Sequence, residues 1–161
     1  MTQSSLKIGV AAACLVAVAA CAPDRTPSDE AYDGADTLRI EALTDADRSS
    51  ANLRGELGCS FTIEGTGTVL LAMGFVGDDT PAEAIVRVAG QVQRLSSDDG
   101  GYDDLLDDAE FENAAGYEVE VERTSDEPVG GGESPPYPAR ISLETPDGDE
   151  ANADGLWTCG P

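Results

Sequence analysis

The stretch Tyr117-Glu118-Val119-Glu120-Val121-Glu122-Arg123 alternates glutamate with valine at every step from Glu118 to Glu122. A period of two places the valines on one face of a strand and the glutamates on the other, so the segment reads as a strand with one side in water. The same pattern appears upstream. In Leu53-Arg54-Gly55-Glu56-Leu57-Gly58-Cys59-Ser60-Phe61-Thr62-Ile63 the residues Leu53, Leu57, Cys59, Phe61 and Ile63 share a face, Gly65-Thr66-Gly67 supplies a turn, and a second, more apolar strand covers 68–76. The pair predicts a hairpin. Downstream, Ala139 to Glu144 reads as a strand, Pro146-Asp147-Gly148-Asp149 as a turn, and Gly155-Leu156-Trp157-Thr158-Cys159 as the last strand.

Residues 80–95 admit two readings. Thr80-Pro81-Ala82-Glu83 has the form of a capping box at a helix start, whereas Ile85-Val86-Arg87-Val88 and Val92-Gln93-Arg94-Leu95 are β-rich segments flanking Ala89-Gly90-Gln91. A glycine in mid-helix costs roughly 1 kcal/mol, which favours two strands. Tyr102-Asp103-Asp104-Leu105-Leu106-Asp107-Asp108 predicts one short helix, and Gly130 to Pro138 a surface loop. The expectation is an all-β domain over residues 51–161: a small antiparallel β-sandwich or barrel of seven or eight strands.

The other end of the chain is different. One basic residue, Lys7, precedes an apolar run from Ile8 to Ala20 that is too short to span a bilayer and reads as a secretory signal peptide over residues 1–20. The run ends in Val18-Ala19-Ala20-Cys21, which resembles the lipobox of bacterial lipoproteins: a branched aliphatic residue, two small ones, and the cysteine that receives a diacylglycerol. The resemblance implies cleavage before Cys21, lipidation of its thiol, and a lipid-anchored place in the bacterial cell envelope. Ala22, rather than Asp, after the cysteine implies sorting to the outer membrane, facing the periplasm. Cys14, after Ala11-Ala12-Ala13, is a poorer acceptor, since the apolar stretch before it is about half the usual length.

An exported chain with Cys59 and Cys159 left over is expected to pair them as a disulfide. The bond would close a loop of 100 residues, for which the chain-entropy estimate is about 4.7 kcal/mol. Residues 21–50, rich in Pro, Asp, Thr, Ala and Ser, read as a disordered acidic tether with one apolar interruption at Leu38-Arg39-Ile40-Glu41-Ala42-Leu43, a short strand or helical turn that docks on the domain.

Charge and missing residue types prune the functions available. The chain carries 9 Lys+Arg against 32 Asp+Glu, which excludes nucleic-acid binding by phosphate neutralisation and attraction to anionic lipid. Beyond Lys7 there is no lysine, and nowhere a histidine. No Ser-His-Asp triad, Cys-His pair, histidine-bound zinc or Schiff-base lysine can be built, and only carboxylate-pair chemistry is left open. No catalytic set and no cofactor is expected.

Four features are candidates for function. The acidic group Asp98, Asp99, Asp103, Asp104, Asp107 and Asp108, and the set Asp147, Asp149, Asn152 and Asp154 read as the last hairpin turn, are imperfect calcium loops whose spacing fits solvated turns better. The segment Gly130 to Pro138, with Ser134 and Tyr137, combines a flexible base with a stiff aromatic tip and is the candidate recognition loop. Trp157 beside Cys159 reads as a core residue packed on the disulfide. An acidic, disulfide-closed, all-β lipoprotein resembles, in architecture and anchoring, the membrane-bound inhibitors of c-type lysozyme. That family's Ser-Gly-x-x-Tyr pattern is not matched by Ser134-Pro135-Pro136-Tyr137, and no site residue carries over. The leading expectation is a non-catalytic module binding an envelope protein or cell-wall component, with the membrane reached through the lipid. Inhibition of a basic hydrolase such as a lysozyme is the alternative, and a carboxylate-pair hydrolase the second.

Overall fold

The computed structural model describes residues 38–98 and 100–161. The expected signal segment, Cys14, Cys21 and the expected tether up to residue 37, as well as Asp99, lie outside the described residues. Eight strands, β2 (Leu57–Ile63), β3 (Gly67–Gly74), β4 (Glu83–Val88), β5 (Gln91–Ser97), β6 (Ala109–Glu112), β7 (Glu118–Arg123), β8 (Tyr137–Glu144) and β9 (Glu150–Gly160), pair antiparallel in chain order. β9 then pairs back with β2, in register from Gly58↔Gly160 to Thr62↔Leu156. The sheet closes on itself as an eight-stranded barrel, the solution that leaves these strands no free edge.

Alternation decides what faces inward. Phe61, Leu70, Ala72, Ala84, Val86, Leu95, Phe111, Val119, Val121, Ile141, Leu143 and Trp157 are buried members of one cluster. Between Phe61 and Thr62 the β2–β3 register shifts, and Val69 is the extra residue, so Val69 and Leu70 are both buried in sequence. Two large rings, Phe61 and Trp157, lie directly opposite each other on β2 and β9. Small residues beside them make the room: Gly155 pairs with Ala139, and a Cβ on Gly155 would stand 2.5 Å from Phe61 Cε1.

The segment with two readings forms strands, β4 from Glu83 and β5 to Ser97, joined through Ala89-Gly90. Both turn residues have positive φ, 48° and 75°, the conformation of the turn that matches strand twist. Ala89 carries a Cβ penalty there, so Ala89→Gly is expected to stabilise the protein by about 1 kcal/mol in chemical denaturation; a loss of stability would refute this reading of the turn.

Tyr102–Leu105 is a short 3-10 helix that caps one end of the barrel. Its Leu105 carbonyl accepts a 2.8 Å hydrogen bond from Trp157 Nε1, and Leu105 and Tyr102 are buried. Cys59 and Cys159, paired across β2 and β9 with a Cα separation of 4.0 Å, form the expected disulfide.

Two expectations need correction. The tether does not run to residue 50. Ile40–Glu41 is a strand, β1, that extends the pairing of β4 at Arg87 and Val88, beyond the four β4 residues that β3 covers. Asp45–Ala51 is a helix, α1, started by a reciprocal capping box between Thr44 and Asp47. This strap is held by arginines of the barrel: Arg87 pairs with Glu41 and Asp47, and Arg94 donates to the carbonyls of Ala51 and Asn52. Leu43 is buried with it. The second correction concerns the last hairpin. The turn ends at Asp149, with Glu144 opposite Glu150, so Asn152 and Asp154 belong to β9 and not to a loop.

Candidate functional site

Register converts scattered glutamates into a surface. Glu112 lies opposite Glu118, Glu118 opposite Glu144, and Glu144 opposite Glu150, so one row of carboxylates crosses four strands. One rung along, Glu110 faces Glu120, which continues to Ser142 and Asn152. All six glutamates are exposed, because Phe111, Val119 and Leu143 between them point into the barrel. Together with Asp98 they line a shallow depression of about 460 Å³. Side chains directly opposite on antiparallel strands stand about 4.5–5.5 Å apart at Cβ, and like charges so placed are destabilising.

The arginines are spent elsewhere. Among the described residues the ion pairs engage Glu41, Asp45, Asp47, Glu83, Asp107, Asp126 and Asp154, and none of the six glutamates. Residues 38–97 carry five arginines and eight carboxylates, a net −3, whereas residues 98–161 carry two arginines and nineteen carboxylates, a net −17. The β6–β9 half of the barrel therefore holds a concentrated negative field. The carboxylates are spread along it: among the described residues no three of His, Cys, Asp or Glu are grouped to hold a metal ion.

Glu83 shows what a carboxylate does when it is paired. Burial opposes its charge, but the Arg54 backbone and side chain and the Arg94 guanidinium donate to it and bring its carboxyl down to about 2 from an ordinary 4.5. A depressed folded-state pKa gives stability that is complete above the unfolded value and disappears as pH falls through the folded one. Acid titration of wild type against Glu83→Gln should therefore show an extra loss in the wild type between pH 4.5 and about 2. Its size is bounded at about 3 kcal/mol and reduced by the openness of both arginines to water. Parallel curves for the two proteins would contradict the assignment.

The sequence candidates are dispersed by the fold. Asp103 accepts from the Gly77 amide and Asp108 from the Arg123 amide, so these two serve the loops that cap the barrel. Asp154 pairs with Arg140 on the neighbouring strand, and five residues of strand, about 17 Å, separate it from Asp149 in the turn. Tyr137 is not at a loop tip. It opens β8 opposite Trp157, half-buried, with the Arg123 guanidinium 3.9 Å above its ring. Ser134 packs against Gly160, where a Cβ would be obstructed by its side chain. Around this barrel mouth a second depression of about 370 Å³ is lined by Leu57, Leu106, Arg123, Tyr137 and the disulfide's Cys159. Arg123 bonds the Leu106 carbonyl and Asp107, while its buried Nε has no partner among the described residues.

Sequence reasoning missed the glutamate row. Each residue was visible as the polar half of an alternating strand, but the row exists only through registers that sequence spacing does not state. No protein family, characterised protein or solved structure matches the chain.

Proposed function

We propose that the chain is a lipid-anchored, non-catalytic binding module of the bacterial cell envelope, and that its acidic β6–β9 face engages a basic protein partner. The observation that carries the reading is the row Glu112, Glu118, Glu144 and Glu150, like charges held side by side without counter-charges. Such a row costs stability, as residues kept for recognition often do. Two further features support it. The barrel interior is filled by side chains, which directs binding to the outer surface. The alternation is apolar inside and carboxylate outside, the inverse of a barrel embedded in lipid.

The test replaces Glu112, Glu118, Glu144 and Glu150 together by Gln. Binding of a polyarginine peptide and of a c-type lysozyme to the wild type should weaken steeply with salt. The variant should bind at least about tenfold more weakly, yet be more stable by about 1–2 kcal/mol as three like-charge contacts are relieved. Unchanged binding would remove the face from consideration. Lysozyme inhibited at excess protein would narrow the partner to a hydrolase, and full lysozyme activity would eliminate that alternative. Glycan turnover lost in the variant would replace the module reading with the carboxylate-pair hydrolase.

A further inference from the structure

We infer that the barrel has a membrane side: the outer surface of β4 and β5, with the strap of β1 and α1 upon it, is the side that meets an anionic lipid surface. The inference rests on the lipid anchor proposed above. Three independent placements carry it. Leu38 and Ile40 are the first described apolar residues after the expected tether, and Ile40 pairs with Val88 of β4. The glutamate face spans β6 to β9 and centres on the β7–β8 joint, which in the closed ring of eight lies three and a half strands from β4 one way and four and a half the other, so the point of entry is nearly opposite that centre. The distribution of arginine agrees: Arg48, Arg54 and Arg94 on the strap side neutralise Asp45 and Glu83 there, whereas none of the six glutamates of the opposite face is paired, and the strap side also presents Val92.

The energetics decide the orientation. An anionic leaflet repels a carboxylate brought close to it, and the effect reaches about one Debye length, roughly 8–10 Å. Backbones on opposite walls of an eight-stranded barrel are on the order of 15 Å apart. Only one wall at a time lies within reach of the surface field. Residues 98–161, which include the glutamate face, carry net −17, and residues 38–97, which include the strap, net −3, so turning the glutamate face to the leaflet meets the stronger repulsion. The acidic face therefore points away from the membrane, where a basic partner meets it first.

The absence of lysine beyond Lys7 supplies the experiment. Ala46→Lys on α1 and Asn152→Lys on β9, both at exposed positions, each give the mature chain a single side-chain amine. The full chain is purified with its acyl group, checked by intact mass, and labelled with a bulky amine-reactive reagent in detergent and on phosphatidylglycerol vesicles at 0.1 M salt, where the field reaches about 10 Å and so covers one wall only. On transfer from detergent to vesicles, labelling of Ala46→Lys should slow about threefold or more relative to Asn152→Lys. Equal slowing, or slowing of Asn152→Lys alone, overturns the orientation while leaving the anchor intact. A chain without acyl mass that fails to bind vesicles overturns the anchor and the orientation with it.

Discussion

Trp157→Ala is expected to cost about 3–5 kcal/mol of stability, measured by chemical denaturation. The indole is 1 % exposed, faces Phe61 on one side and Tyr137 on the other, and fills the end of the barrel where Gly155 and Ala139 leave space. Truncation removes that volume from a wall of strands that cannot collapse inward, because each is fixed by two neighbours. It also leaves the Leu105 carbonyl without the 2.8 Å hydrogen bond that ties the 3-10 helix to the barrel. Trp157→Phe separates the two contributions. The ring is largely kept and the donor lost, so the cost should fall to about 1–3 kcal/mol, the range for an orphaned buried polar group. Equal losses for Ala and Phe would mean that the hydrogen bond, and not the packing, dominates. A loss below about 1 kcal/mol for Ala would contradict the packed interior altogether.

How far the sequence spoke depended on whether a feature was local. The strand at Glu118–Arg123 and the hairpin β2–β3 follow from alternation and turn residues within a dozen positions. So does the choice of two strands over a helix at 83–97, where Gly90 and β-branched residues outweighed a capping-box pattern at Thr80. The short β6 escaped because four residues, Ala109-Glu110-Phe111-Glu112, alternate too briefly to stand out. The first half of β9 escaped for another reason. Ala151 and Ala153 lie opposite Leu143 and Ile141, and Gly155 stands against the Phe61 ring, so small residues fill this stretch and an alternating strand has the composition of a turn. The strap was misread through composition as well: Thr44 and Asp47 spell a capping box, but the arginines that hold the segment lie 40 and more residues away. The glutamate row and the closing pair β2–β9 are both products of long-range register. For the second, sequence did offer one long-range constraint, the pairing of Cys59 with Cys159, which brings two strands together without saying that they are directly opposite.

That constraint makes the second large prediction. Replacing Cys59 and Cys159 together by Ala is expected to destabilise the protein by about 4–5 kcal/mol, and to do so unevenly. Every other joint of the barrel links strands that follow one another in the chain, so the connecting segment already keeps its partners near. β2 and β9 are joined across a span of 100 residues, and without the disulfide that whole loop must be closed by pairing alone. The missing bond therefore acts on the unfolded chain, whose freedom increases, and on one seam of the folded barrel. Amide exchange in the double variant should rise first in β2 and β9, with β7 and β8 the last to lose protection, since their pairing is local and backed by Val119, Val121, Ile141 and Leu143. The same order is expected on reduction of the wild type. Uniform loss of protection would mean that the barrel opens only as a whole, and that the seam is no weaker than its hairpins. Early loss in β7 and β8 would place the weak point on the acidic wall, where mutual repulsion of Glu118, Glu120 and Glu144 would then outweigh the cost of closing the long loop.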